Sequence, residues 1–378
     1  MPFLPGKHLL MTADAVGGVW DHASSLAQSM ARRGWDVTLV TFGPAPCQDQ
    51  FLPLLGYDNL DLAITNIDLE WQDPHGDDRQ RALDHMASLE DRLNPDIVHL
   101  NGYREACAGW RAPVLVGASS CAGSWWRACR GIAPSQAGWQ IYLADVAAGL
   151  AAADRWVAPT AAFREIVEQL YAPAQPGDVI PHGIDMPVAT AAKQSFILAQ
   201  GRLWDEARNI GVLTQIAGGL SWPVRIDGAA RRDGAAPASQ DGVEWLGSLT
   251  RSELSSMMGK AGIFVSPAVY DPFGTAVLEA AANGCALVLA DIPAYRELWE
   301  GAALFVDPRD GNQMRATLNS LSRHEAAREI LQKAAQKRAA GYSITATADA
   351  YEQLYRDMLD RRTRKRPAHV AAFSEVHA

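Results

Sequence analysis

The 378-residue chain lacks the features that would tie it covalently, hold it in a membrane or draw it to nucleic acid. It has five cysteines (Cys47, Cys107, Cys121, Cys129 and Cys285), and no two stand in a CxxC spacing. An odd, scattered set excludes a disulfide framework and a cysteine-based zinc site, and reads as reduced thiols. No apolar run approaches the roughly 20 residues needed to span a bilayer. The first residues carry no basic segment followed by a long apolar core, so a secretory leader is not expected and the chain is predicted to be cytoplasmic. Positive charge is in the minority, 34 Lys and Arg against 43 Asp and Glu, and the net charge of −9 argues against general nucleic-acid binding. What is present is ordinary for a globular chain. Hydrophobic residues make up 48% and charged residues 20%, enough to bury two sizeable cores over a length that suits two domains.

The stretch from Ala261 to Leu298 organises the rest. An apolar run, Ile263 to Val265, is bounded by Gly262 and Pro267 and predicts a strand. A loop carrying Asp271, Pro272, Phe273 and Gly274 follows. From Thr275, Val277, Leu278, Ala281 and Ala282 mark one buried helix face, with Asn283-Gly284 as the stop. A second strand-like run covers Ala286 to Ala290. The whole is one βαβ unit, buried on both faces. Phe273, Gly274 and Thr275 are expected to present free N–H groups at the helix start, which favours a phosphate. Glu279 lies one helical turn after Thr275, about 6 Å further along the axis. That distance suits a carboxylate accepting from a ribose while phosphates lie at the helix end.

The beginning of the chain repeats the pattern. A strand from His8 to Thr12 leads to Gly17-Gly18, then to a helix marked by Val19, Ala23, Leu26, Ala27, Met30 and Ala31, and then to a strand from Trp35 to Phe42. Further on, Asp77 to Leu93 reads as a helix and Asp96 to Leu100 as a strand that delivers Asn101-Gly102-Tyr103 to the carboxyl edge, where doubly wound sheets bind ligands. His99 reads as a strand-end histidine. Pro113 to Ala118 is the next strand, leading into Ser119 and then Ser124-Trp125-Trp126-Arg127. Aromatic rings stack on sugar faces and Arg binds anions, so Trp125, Trp126 and Arg127 suit a pocket for a sugar or an anion. Two consecutive tryptophans divided between core and surface are the equal alternative. Later come Val179 to Asp185, a Pro- and Ala-rich linker from Met186 to Gln194, Gly201-Arg202-Leu203 with Arg208 beyond it, a capping box at Thr250 and Glu253, and an amphipathic helix from about Ser343 to Arg362. A basic run, Arg361 to Arg366, reads as a solvated tail, with weak membrane-surface contact as the lesser alternative. Residues from Pro367 onward are expected to be disordered.

The segment SPAVYDPFGTAVLEAAANGCALVLAD resembles the two-acid signature of the retaining glycosyltransferases of family 4. The resemblance implies an α/β chain of GT-B fold, two Rossmann-like doubly wound domains facing each other across a cleft, with a C-terminal helix crossing back to the first domain. Residues 1–186 would form the acceptor-binding domain, 187–345 the donor-binding domain, 346–362 the crossover helix and 363–378 a basic tail. It implies a nucleoside-diphosphate sugar as donor, an unidentified sugar, lipid-linked or small-molecule acceptor, and neither cofactor nor metal. Glu279 matches the acid that holds the donor ribose. Asp271 matches the acid facing the donor sugar, one methylene shorter than the usual Glu. Gly17 and Gly18 match the loop that closes over the phosphates. Arg202 and Arg208 match the two cations on the diphosphate, Arg208 in place of Lys. Ser119 stands where many members carry a histidine near the donor sugar and acceptor, and His182 stands where the usual boundary segment has Asn. Two other readings fit part of this pattern: another GT-B enzyme, such as an epimerase or a phosphorylase, and a non-catalytic nucleotide-sugar-binding protein.

Overall fold

The computed structural model describes residues 6–186, 191–228 and 241–365. Parts of the Met186–Gln194 linker and of the Ala/Gly/Pro-rich loop from Gly228 to Gly242 lie outside them, as does the tail from Arg366 onward.

Among the described residues thirteen strands form two wholly parallel sheets. The first contains β1 (His8–Asp14), β2 (Asp36–Phe42), β3 (Leu60–Ile64), β4 (Ile97–Leu100), β5 (Val114–Gly117), β6 (Arg155–Ala158) and β7 (Asp178–Val179), in the order β3-β2-β1-β4-β5-β6-β7. The second contains β8 (Gln194–Gln200), β9 (Val224–Asp227), β10 (Val243–Gly247), β11 (Ala261–Ser266), β12 (Ala286–Ala290) and β13 (Ala303–Val306), in the order β10-β9-β8-β11-β12-β13. Each order reverses once, between β1 and β4 and between β8 and β11. These are the switch points beside which open α/β sheets bind ligands. Parallel strands covered on both faces must be apolar throughout, and Leu9, Leu10 and Met11, like Leu287, Val288 and Leu289, have no exposed surface.

Two boundaries differ from the periodicity. The helix expected from Asp77 starts at Arg79, because the Asp73 carboxylate accepts from the Asp77 and Asp78 amides at 2.8 and 2.9 Å and holds them in a preceding turn. The Ser124–Arg127 segment lies within a helix, Ala122–Arg130, whose start is capped by the Cys121 thiol accepting from Ser124 N at 3.4 Å.

The last helix, Ile344–Lys365, crosses back to the first sheet. Its face of Ala348, Tyr351, Leu354, Tyr355 and Met358 packs with Leu9, Leu26, Met30 and Trp35. Where the chain passes between the sheets it pairs with itself: Ile184 N donates to Tyr342 O at 3.1 Å and Ile344 N to Ile184 O at 3.0 Å. Gly183 is required by this approach, since a Cβ there would lie 2.4 Å from the Ser343 carbonyl oxygen. Arg33, at the end of the first helix, pairs with Glu352 at 2.9 Å and with Asp349 at 2.7 Å. Arg33 and Glu352 keep only 8% and 4% of their side-chain surface exposed. Truncating one partner of a buried pair strands the other, so Glu352→Ala is expected to cost about 3 kcal/mol, the low end of the usual range because Asp349 remains. Urea unfolding monitored by fluorescence checks this; a midpoint equal to the wild type would show that the pair does not fasten the helix.

Candidate functional site

The carboxyl edges of the two sheets approach each other at their switch points. From the first sheet, β1 ends at Asp14 and leads to Gly17, whose φ of 101° demands glycine, and to the helix Gly18–Arg32. From the second, β11 leads through Tyr270 to Phe273 and to Gly274, with a φ of 83°, before the helix Thr275–Ala282. A Cβ on Gly274 would also lie 2.7 Å from the Tyr295 ring. A Cβ on Gly18 would stand 3.6 Å from Thr275 Oγ1, so the two helix starts face each other at close range. Among the described residues the Gly274 and Thr275 amides have no acceptor. The Phe273 amide does not join them: it donates to Asp271 Oδ1 at 3.3 Å, because the loop folds that carboxylate back over it.

The cations stand beside these amides. Arg202, half-buried, pairs with Asp205 at 3.0 Å and lies over the Trp204 ring at 4.8 Å. Its charge also acts on Asp14 across the cleft. Arg208 pairs closely with Asp271 Oδ2, which also accepts from Tyr295 Oη at 3.1 Å. The Asp271 carboxylate raises the Arg208 pKa further, which leaves the guanidinium charged at any working pH. Asp271 therefore takes three protein hydrogen bonds and reaches a ligand only with its remaining acceptor capacity. Glu279 sits one turn into the helix with 20% of its side chain exposed. Burial, then Asp21, push its pKa up to about 7, against the opposing pull of Arg251. Burial raises Asp14 to about 6, opposed by the Val16 amide and Arg202.

Of the residues expected on the acceptor side, Ser119 is half-buried just beyond β5, on a loop that meets Tyr270 of the second half. There Tyr270 Oη lies 2.7 Å from Ser124 Oγ, and Cys121 N donates to Tyr270 Oη at 3.5 Å. The tryptophans divide: Trp126 is buried against Trp139 and under Arg130, whereas Trp125 is half-exposed. Arg127 is exposed and reaches Gln169 at 3.5 Å. Sequence reasoning missed Asp14, Asp21, Tyr295 and Arg251. Asp14 was accessible as the last residue of a strand at the carboxyl edge; the other three are joined to the site only by tertiary packing. His99 is fully buried within β4 and bonded through Nδ1 to Tyr355 Oη at 2.7 Å, consistent with a structural role. Among the described residues no cluster of three His, Cys, Asp or Glu side chains could hold a metal ion, and no helix is long and apolar enough to cross a membrane.

Comparison with known proteins follows this geometry. Residues 16–187 match Glycosyltransferase Family 4, and residues 236–338 match Glycosyl transferases group 1. The chain belongs to the family 4 type of GT-B glycosyltransferases. Sucrose-phosphate synthase from Thermosynechococcus elongatus superposes with a TM-score of 0.74 at 16% identity, over 94% of this chain and 100% of that one. The Anabaena protein Alr3699/HepE, in complex with UDP and glucose, gives 0.74 at 14% identity, over 93% and 100%. In sequence, the O-antigen chain mannosyltransferase RfbU of Salmonella typhimurium is 28% identical over 82 residues, 22% of this chain and 23% of that protein.

The raised Glu279 pKa has a consequence for stability. The folded state binds a proton here that the unfolded state, with a pKa near 4.5, releases, so the favourable contribution is complete below pH 4.5 and is lost as pH rises through 7. Glu279→Gln is therefore expected to melt close to wild type at pH 4.5 and several degrees higher at pH 8. Equal melting temperatures at both pH values would mean the carboxylate is not held in an unfavourable setting.

Proposed function

We propose that the protein transfers a sugar from a nucleoside-diphosphate donor to a hydroxyl-bearing acceptor, with retention of anomeric configuration. The observation that carries this reading is the facing pair of helix starts with Arg202 and Arg208 beside them and Glu279 one turn away. Free amides and two guanidiniums supply positive charge for a diphosphate, and the arginines favour its forked geometry. On this reading residues 1–186 bind the acceptor and 187–345 the donor. Gly17 and Gly18 let the backbone close over the phosphates, and Glu279 accepts from the ribose hydroxyls. Asp271 holds Arg208 in place and turns its remaining lone pairs toward the donor sugar. The UDP held by the Anabaena protein makes UDP the first nucleotide to test.

In the reaction the bond from the sugar C1 to the phosphate oxygen breaks, and the bond from C1 to the acceptor oxygen forms on the same face. The acceptor proton passes to the leaving phosphate oxygen. Arg202, Arg208 and the Gly274 and Thr275 amides stabilise the charge that develops there, which is where preorganised donors lower a barrier most. These groups supply the countercharge without a metal. Ser119 contributes a hydrogen bond to a sugar hydroxyl and carries no proton in the reaction, since a hydroxyl does not titrate near neutral pH. Trp125 and Arg127 remain available to an acceptor at the rim.

Three measurements test this. Product anomer, read by proton NMR after incubation with UDP-sugars and a panel of acceptors, should match that of the donor; consumption of free phosphate or inversion at C1 would sink the proposal. Glu279→Ala should weaken UDP binding about ten- to a hundredfold, since a hydrogen bond to a charged group contributes roughly 1.5–3 kcal/mol. Unchanged affinity by calorimetry would remove Glu279 from the ribose site. Ser119→Ala should slow turnover by at most about tenfold, the loss of one neutral hydrogen bond of roughly 0.5–1.5 kcal/mol. A loss of several hundredfold in a folded variant would give the hydroxyl a chemical role and overturn the proton route.

A further inference from the structure

Glu279 faces a cation that lies outside the two-acid motif. Arg251 is the first residue of the helix Arg251–Lys260. Its position is set by a reciprocal cap: Glu253 N donates to Thr250 Oγ1 at 3.3 Å, and Thr250 N to Glu253 Oε2 at 2.9 Å. From there Arg251 Nη2 lies 3.6 Å from Glu279 Oε1, and Nη1 lies 4.0 Å from Asp21 Oδ1. Asp21 is in the first turn of the helix that follows Gly17, on the opposite side of the cleft. The three side chains make an acid, base, acid row that joins the donor-side helix to the acceptor-side sheet. The Glu253 carboxylate, two residues after Arg251, is taken up by Thr250 and does not enter the row.

We infer that Arg251 and Asp21 are opposed positioning residues for Glu279, which set its ionisation and thereby make nucleotide binding pH-dependent in the neutral range. The inference rests on the reading that Glu279 accepts from the donor ribose. A hydroxyl donates more strongly to a carboxylate than to a neutral carboxyl group. Arg251 favours the carboxylate, whereas Asp21 and burial disfavour it, and the balance leaves Glu279 close to half-protonated at neutral pH. Asp21 is itself raised by burial and lowered by Arg251, so one guanidinium serves two acids and cannot fully satisfy either. UDP affinity should therefore rise with pH through about 7. Removing Arg251 should move that rise to higher pH, and removing Asp21 should move it to lower pH.

The test has two arms on the full chain. In the first, the protein is labelled at glutamate Cδ with carbon-13, and Glu279→Gln identifies the resonance. That resonance is titrated from pH 5 to 9 without nucleotide in wild type, Arg251→Gln and Asp21→Asn. In the second, UDP is titrated calorimetrically over the same range. The expected result is a midpoint near 7 in wild type, displaced upward in Arg251→Gln and downward in Asp21→Asn, with the UDP affinity curves displaced alike. At pH 7 Arg251→Gln should bind UDP about three- to tenfold more weakly than wild type and recover most of the difference by pH 9. Identical midpoints in the three proteins, or displacement of both variants in one direction, would overturn the inference. Resonances that move as stated beside UDP binding that ignores pH would keep the charge row and remove Glu279 from the ribose, so the two readings fail separately. Circular dichroism melts of each variant exclude a folding defect as the cause.

Discussion

The arrangement depends on two glycine turns that bring a pair of helix starts face to face across the cleft. Gly18 approaches Thr275 across the cleft, while Gly17 and Gly274 take left-handed conformations that an L-residue adopts only at a cost. Their effect extends beyond the turns. The space left by Gly274 admits the Tyr295 ring, and Tyr295 Oη then binds both Asp271 and Ser266 Oγ. Asp271, held there, fixes Arg208. One missing Cβ thus positions a ring, an acid and a cation in turn. The helix starts carry partial positive charge, and the arginines add full charges to it. Asp14, at the end of β1, is the acid that faces Arg202 across the cleft.

The contacts between the halves are of two kinds. On the hinge side they are buried: the Arg33–Glu352 pair, the backbone pairing of Ile184 with Tyr342 and Ile344, and Thr347 Oγ1 donating to Pro181 O at 2.9 Å. On the cleft side several are solvated. Glu297 accepts from the Ala161 and Ala162 amides at 2.8 and 2.7 Å, and Arg130 meets Glu206 at 2.8 Å with both side chains more than 40% exposed. Exposed ion pairs contribute little, about 0–1 kcal/mol, whereas breaking buried ones is costly. The energies place the firmest joint at residues 183–184 and 343–344 and make the Arg130–Glu206 pair a minor contribution. Thr160 Oγ1 also donates to Pro272 O at 2.9 Å, and Ser124 touches Tyr270. The loop carrying Asp271 is therefore held by elements of the first sheet's side.

Most of the fold was legible because parallel strands buried on both faces have to be continuous apolar runs, and runs such as Ile263 to Val265 and Ala286–Ala290 are unmistakable. The local part of the candidate site was legible for another reason. Gly274, Thr275 and Glu279 belong to one loop and one helix, so their relation is local and helical rise alone relates them. Relations across the cleft were not. Arg251 looks like any helix-start cation until β10 and β11 place its helix beside Thr275–Ala282, and Asp21 looks like an ordinary first-turn acid. The Phe273 amide was read as free because no spacing rule announces that an acid two residues earlier will fold back onto it. The two tryptophans could not be sorted from sequence, because the helix that separates them begins at a cysteine cap, and Cys is a weak capping signal.

His182, in the place of the usual Asn, shows how the hinge accommodates its own departure. An Asn there would offer donors and an acceptor, but the surroundings offer mainly rings. His182 lies flat on His22, with centroids 3.9 Å apart and an interplanar angle of 13°, and 4.9 Å from the Phe273 ring. Burial pushes the His182 pKa down to about 3, and burial with the neighbouring His182 depresses His22 as well. Both rings are therefore neutral at any pH at which the protein works, and the pair packs as aromatic surface and not as a charged contact. Tyr351 of the last helix lies 5.7 Å from His22 on the other side. The aromatic column runs from the crossover helix through the first helix and the hinge to Phe273, the residue just before the anion-facing amides. Packing is short-ranged and intolerant of gaps. A stacked column of this kind therefore ties the position of the last helix to that of the loop carrying Phe273.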